Sequence, residues 1–183
     1  HTRYIGDWSS DVCSSDLARV SQPPPPDLPP GWQETGPDDP FVRLVSERHR
    51  AHLNALPEPT RRLMHDLQHR AQQQAYRAQY PGHRTYLLSR LTPDGAAARD
   101  EVIGYALVDW GEPVTLIDFA VHPDEQGRGQ GGAALAALQT WAGRAVVLNV
   151  ARGNRAERLY RRAGFQPCGG DELNLQKIGR AHV

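Results

Sequence analysis

Seven residues, Gln126-Gly127-Arg128-Gly129-Gln130-Gly131-Gly132, constrain this chain more than any other stretch. The apolar run Val114–Val121 precedes them, and an Ala/Leu-rich run over residues 133–141 follows. That order reads as strand, glycine-rich turn, helix. Glycines there let backbone N–H groups converge without side chains in the way, and the helix N-terminus adds partial positive charge. Such a turn is suited to hold an anion, and the phosphates of a cofactor are the natural occupant.

The chain has 183 residues, enough for one domain with a real core. Its formal net charge is zero, which implies no general attraction to nucleic acid or to an anionic membrane. Of the 21 basic residues only Lys177 is a lysine, so arginine clusters reflect coding bias and carry little weight alone. No apolar run approaches the roughly 18 residues needed to span a bilayer. No secretory signal is evident, and a cytoplasmic protein is expected.

Both ends look foreign. Residues 11–17 read DVCSSDL and residues 178–183 read IGRAHV. One coding choice for the first, GAC GTG TGC TCT TCC GAT CT, has a reverse complement containing ATC GGA AGA GCA CAC GTC. That complement translates to the second peptide. Two peptides encoded on opposite strands of one oligonucleotide point to a sequencing adapter read as protein, and Met64 is the only methionine. Residues 1–17 and 178–183 are therefore set aside as adapter-derived, 18–37 as a proline-rich lead-in, and 38–177 as the domain. With Cys13 set aside, Cys168 is expected to be a free thiol on a strand, with no internal disulfide.

Residues 21–30 (SQPPPPDLPP) predict a solvated polyproline II arm. Asp38 and Asp39 before Pro40 form a helix start. Phe41, Leu44, Val45, Leu53 and Leu56 then recur at helical spacing until Pro57 and Pro59. A second helix is expected over 60–80, with Leu63, Met64, Leu67, Ala71, Ala75 and Tyr76 on one face and Pro81-Gly82 as its stop. Strands are expected at 85–91, 102–110, 114–121, 145–150, 165–168 and 172–177, with 92–100 as a hairpin connection. Helices are expected from the glycine turn to about 143 and over 154–163. This is a mixed α/β domain built on one sheet.

Three ligand classes use such glycine turns. The Walker type needs a lysine that reaches the terminal phosphates, and none is present. The dinucleotide pattern is met literally by Gly127-x-Gly129-x-x-Gly132. However, His122-Pro123-Asp124-Glu125 separates strand from glycines, and the next strand ends Leu148-Asn149-Val150 without an acid. The antiparallel meander upstream also disagrees with a doubly wound sheet.

The third class fits. Gln126-x-x-Gly129-x-Gly131 resembles the Q/R-x-x-G-x-G/A signature of the GNAT superfamily of acyl-CoA N-acyltransferases. Phe119-Ala120-Val121-His122-Pro123 before it is similar to that family's strand-to-loop passage. Val102-Ile103-Gly104-Tyr105-Ala106 resembles an earlier strand of the family, and Leu148-Asn149-Val150, Asn154, Ala156, Leu159-Tyr160 and Gly164-Phe165 resemble, in order, the second half of its signature. The resemblance implies a central, largely antiparallel sheet with splayed strands flanked by helices. It also implies a transferase that moves an acetyl group from acetyl-CoA to a primary amine, without a metal.

The resemblance further implies which residues act. The amides of Arg128, Gly129, Gln130, Gly131 and Gly132, with Gln126 and Gly127, would hold the CoA pyrophosphate. Pantetheine would bond like an extra strand to backbone around Phe119, Ala120 and Val121, where an N–H would polarise the thioester. Asn154 would cap the following helix or touch pantetheine, and Tyr160 would protonate the leaving thiolate. Asn149 and Thr115 stand where some relatives carry a glutamate. Asp118 is taken as the general base; His122 is expected to cap a loop and Glu101 to be exposed. Gln68, Gln72, Tyr76 and Tyr80 would line the acceptor side. His65 and His69, spaced i and i+4, are read as a polar helix face with His83 close by, and no metal site is expected. The acceptor is a small-molecule or peptide amine; neither nucleic acid nor membrane is a partner. The competing expectation is a non-catalytic acyl-CoA-binding module.

Overall fold

The computed structural model describes residues 21–180. The expectations for residues 1–17 therefore lie outside the described residues. Among the described residues seven strands form one sheet in the order β1-β2-β3-β4-β5-β7-β6. They are β1 (Trp32–Thr35), β2 (Arg84–Leu91), β3 (Ala97–Asp109), β4 (Val114–Val121), β5 (Val146–Ala151), β6 (Gln166–Gly170) and β7 (Asn174–Gly179). Four α-helices among the described residues accompany them: α1 (Pro40–His49), α2 (Thr60–Gln79), α3 (Gln130–Ala142) and α4 (Ala156–Arg162). The mixed α/β class expected from the sequence is the one observed. Among the described residues no helix is long and apolar enough to cross a membrane.

The chain divides into two compact units, with β4 contributing to both. One unit holds residues 30–108 and 118–130. Here β1, β2 and β3 pair antiparallel in sequence, with a bulge in β2 around Ser89. Gly104 on β3 packs directly on β4: a Cβ at that position would lie 2.4 Å from the Ala120 carbonyl oxygen. Only glycine permits that approach. Helix α1 starts where expected, capped by Asp39, whose Oδ1 accepts from the Phe41 N–H at 2.8 Å.

Four sequence expectations need correction in this unit. Strand β1 lies inside the stretch read as a lead-in; four residues after Pro-Gly are too short to announce a strand, and pairing with β2 makes one. Strand β3 begins at Ala97, not 102, because the turn is tighter than expected: the Gly95 N–H donates to the Thr92 carbonyl and the Thr92 N–H to the Ala96 carbonyl. Helix α1 stops at His49, and residues Ala51–Ala55 form a 3-10 turn. The buried stripe of α2 is His65, His69 and Gln73, while Leu63 and Leu67 are 57% and 51% exposed. The reason lies on α1 and its C-cap, which offer Arg43, Glu47 and Arg50 as neighbours. Asp66 of α2 pairs with Arg43, and Gln72 accepts from Arg50. Burial, then the charges of Arg50 and Arg43, hold the His69 pKa below its ordinary value.

The other unit holds residues 109–117 and 131 onward, together with the proline-rich arm. Here β4 runs parallel to β5, with Val114 opposite Val146, Thr115 opposite Val147 and Leu116 opposite Leu148. From there β5 continues along β7, to which it pairs antiparallel through Ala151. Most of the arm is solvent-exposed, as expected, and hydrogen bonds also tether it to the unit. Polyproline II leaves its carbonyls unpaired, and the Trp141 indole N–H donates to Pro25 and Pro26 at 3.2 and 3.3 Å. Ser21 donates to Asp109 and the Gln22 N–H to the Trp110 carbonyl. Strand β7 does not stop at Lys177; Ile178 pairs with Val147 and is buried with Ala145 and Val147. The sequence expectation of a free thiol is also corrected: Cys168 is disulfide-bonded. Cys13, the other cysteine in the chain, lies outside the described residues.

Candidate functional site

The glycine loop leaves β4 through a short 3-10 turn, Pro123–Glu125, that His122 caps by accepting the Asp124 N–H on Nδ1 at 3.1 Å. Gly127 and Gly129 take φ of +80° and +78°, the left-handed region that only glycine occupies at little cost. Helix α3 begins at Gln130. A Cβ at Gly127, Gly129 or Gly132 would meet no atom within 4 Å, so the space over the loop is open. A nucleotide phosphate fits such a cradle of bare backbone at the positive end of a 13-residue helix.

Two glutamines fix the loop. The Gln126 side-chain N–H donates to the Val121 carbonyl at 3.2 Å. Gln130 reaches Leu91 twice, accepting its N–H at 2.9 Å and donating to its carbonyl at 3.2 Å, as a further strand residue would. Glu125 receives Arg90 at 2.6 Å. Gln126 and Gln130, expected to touch a cofactor, therefore spend their side chains on the protein.

The same unit contains a chain of polar side chains around Asp118. Tyr105 donates to Asp118 Oδ2 at 2.7 Å, and its hydroxyl lies 3.1 Å from Ser46 Oγ. The Phe119 N–H donates to Asp118 Oδ1 at 2.9 Å. Burial pushes the Asp118 pKa above the usual carboxylate range, while the Tyr105 and Phe119 hydrogen bonds and the charges of His49 and Arg50 act the other way. Tyr76 is held well above its ordinary value by burial and by the Asp118 charge. Gln72 donates to the Tyr76 hydroxyl at 2.9 Å and accepts from Arg50 at 2.7 Å. His49 Nε2 lies 3.0 Å from the Val121 carbonyl, which makes it the protonated ring nitrogen.

Backbone bonding near Phe119 and Val121 is more crowded than expected. The Phe119 N–H is taken by Asp118, and the Val121 carbonyl accepts from both His49 and Gln126. Those donors use both lone pairs of that carbonyl.

In the other unit Tyr160 is buried on α4, its ring edge-on to Phe165 at 6.0 Å. The Phe165 N–H donates to the Tyr160 carbonyl at 2.9 Å, so Gly164 and Phe165 close the end of α4. Asn154 Oδ1 accepts the Ala156 N–H at 2.9 Å, a cap at the helix start. Asn149 is exposed on β5 and Thr115 is buried on β4. Glu101 is half-exposed and ion-paired with Arg90.

The structure brings Asp118, Gln72 and Tyr76 into one cluster and adds Tyr105, Ser46, His49 and Arg50, which the sequence reading missed. Tyr105 was within reach, two strand positions on from Ile103 and therefore on the same face. Arg50 and His49 carried no signal, because arginines are common throughout this chain. Among the described residues, no group of three or more His, Cys, Asp or Glu could hold a metal ion.

The family model described as "Acetyltransferase (GNAT) family" matches residues 53–165. No curated protein matches the chain. Among solved structures, one from Corynebacterium glutamicum, described as histone acetyltransferase HPA2 and related acetyltransferase, aligns with TM-score 0.55 at 20% identity. It covers 85% of this chain and 98% of that one. A PaiA N-acetyltransferase from Thermoplasma acidophilum in complex with coenzyme A aligns with TM-score 0.53 at 12% identity, covering 81% and 97%. A spermidine N-acetyltransferase SpeG chimera of Vibrio cholerae and hSSAT aligns with TM-score 0.51 at 14% identity, covering 80% and 94%. At these identities the structures speak to the fold, and the family match covers more than half of the sequence: the chain belongs to the GNAT family of acetyltransferases.

Proposed function

We propose that this protein is an N-acetyltransferase that transfers an acetyl group from acetyl-CoA to a primary amine by direct attack. The observation that carries this reading is the open glycine cradle at residues 126–132, at the head of α3, in a chain of this family. Bound acetyl-CoA would supply the activated thioester. The backbone of Arg128, Gly129, Gln130, Gly131 and Gly132 holds its phosphates. The stretch Phe119, Ala120 and Val121 is the docking edge for pantetheine. Supporting that role, the β4 pairing with β5 stops at Leu116 although β4 runs on to Val121. Docking there needs the Phe119 N–H to exchange its bond to Asp118 for one to the ligand.

Asp118 takes the proton from the attacking amine. Its raised pKa moves its basicity toward that of an amine, which makes the transfer easier. Tyr160 gives its hydroxyl proton to the departing sulfur. The N–C bond forms as the C–S bond breaks, with one proton lost by nitrogen and one gained by sulfur. The acceptor is a small-molecule or peptide amine, in line with the spermidine N-acetyltransferase among the similar structures.

Two titrations test this. Acetyl-CoA should bind saturably while NAD(P) does not, and a panel of primary amines should release free thiol from acetyl-CoA. Binding of CoA without amine-dependent release would replace the enzyme by a non-catalytic acyl-CoA-binding module. Protection from unfolding by NAD(P) but not by CoA would remove both.

A further inference from the structure

The cluster around Asp118 contains a second charge, Arg50, one end of which has no hydrogen-bond partner among the described residues. Arg50 sits just past the end of α1 and donates through Nη2 to Gln72 at 2.7 Å. Its other terminal nitrogen, Nη1, is buried and has no hydrogen-bond partner among the described residues. A guanidinium nitrogen left so is costly to bury. Asp118 feels the Arg50 charge but forms no ion pair with it among the described residues; Arg50 reaches Gln72, and Gln72 reaches Tyr76, which in turn feels the Asp118 charge. Arg43 and Arg90 of the same unit, by contrast, each ion-pair with carboxylates.

A carboxylate and a guanidinium that share a half-buried cluster without an ion pair between them are complementary to a ligand with a cation at one end and an anion at the other. Arginine presents paired N–H groups in a plane, a match for a carboxylate. Gln72 holds one arm of the fork and leaves the other to the ligand. We infer that the acceptor is an amino acid: its amine meets Asp118 and its carboxylate meets Arg50 Nη1. Arg50 is then a specificity-determining residue. This inference rests on the acetyl-transfer reading for its chemistry, but the carboxylate contact can be measured without turnover.

The experiment uses the full chain, acetyl-CoA and matched acceptors: the L-amino acids, their amides and their decarboxylated amines. Wild-type protein should prefer the amino acid over its amide by about 10-fold or more in kcat/KM. Arg50→Gln should lower kcat/KM about 10- to 100-fold for the amino acid, mainly through KM, and lower it much less for the amide. Arg50→Lys, which keeps the charge, should recover part of the loss, and thermal melting checks that both variants fold. Equal use of amino acid and amide, or a preference that survives in Arg50→Gln, would overturn the inference. Should no acceptor release thiol, the acetyl-transfer reading fails. Calorimetry of the same amino acids with the protein–CoA complex then decides alone: binding lost in Arg50→Gln supports the carboxylate contact, and no binding to wild type overturns it.

Discussion

The Tyr105 hydroxyl donates to Asp118 Oδ2 at 2.7 Å, from the middle of β3 to the middle of β4. That bond holds the one carboxylate of the cluster in a fixed rotamer and favours its charged form. Burial works against it and wins, so Asp118 titrates above the ordinary carboxylate value. The balance leaves a base that is stronger than an exposed aspartate.

Replacing Asp118 by Asn should lower kcat/KM about 100-fold or more. In the wild type, activity should rise with pH through the raised Asp118 pKa, and Asp118→Asn should lack that limb. Stability carries the same signature. A folded pKa above the unfolded one favours the fold at low pH, and this contribution is lost as pH rises through the folded value. Denaturation of both proteins from pH 4 to 8 should show wild type losing ground to Asp118→Asn across that window. An unchanged acid limb would remove Asp118 as the base.

Tyr160→Phe keeps the ring that packs edge-on to Phe165 and removes only the hydroxyl. Turnover should fall about 10- to 100-fold while CoA affinity stays within about threefold. Equal losses in turnover and CoA affinity would make Tyr160 a binding residue instead.

Gly132→Ala separates folding from binding. Position 132 lies in the first turn of α3, and an added Cβ would touch nothing there. Alanine should therefore keep or raise stability, by up to about 1 kcal/mol. The same methyl group would stand in the phosphate cradle, and CoA affinity should fall about 10-fold or more. Melting temperature and CoA titration on one sample read both effects. Undiminished CoA affinity would place the phosphates elsewhere.

Gly104→Ala tests the packing of β3 on β4. Its Cβ would lie 2.4 Å from the Ala120 carbonyl oxygen and 3.1 Å from the Val121 Cα, both backbone atoms. The strands must part, and a cost of about 1–3 kcal/mol is expected by chemical denaturation. A neutral result would show that β3 and β4 separate readily at that point.

Much of this was legible in the sequence. The glycine run, the apolar strand Val114–Val121 and the Asp39-Pro40 helix start each follow local rules that tertiary packing did not override. Strand β1 escaped notice because its register comes from β2 rather than from its own four residues. The face of α2 was misread because its neighbours are charged: apolar spacing pointed to Leu63 and Leu67, whereas Arg43, Glu47 and Arg50 across from it suit His65, His69 and Gln73. The Asp118 cluster was half visible. Its acid stood out on an apolar strand, but Arg50 lies 68 positions before it and only the fold joins them.

The central claim is that this chain moves an acetyl group onto an amine. Mass analysis of acceptors incubated with acetyl-CoA carrying a 13C-labelled acetyl group tests it most directly. An acceptor amine should gain one labelled acetyl group, with one free CoA formed for each. Saturable acetyl-CoA binding with no labelled amine across the amino acid, amide and decarboxylated acceptors would contradict it.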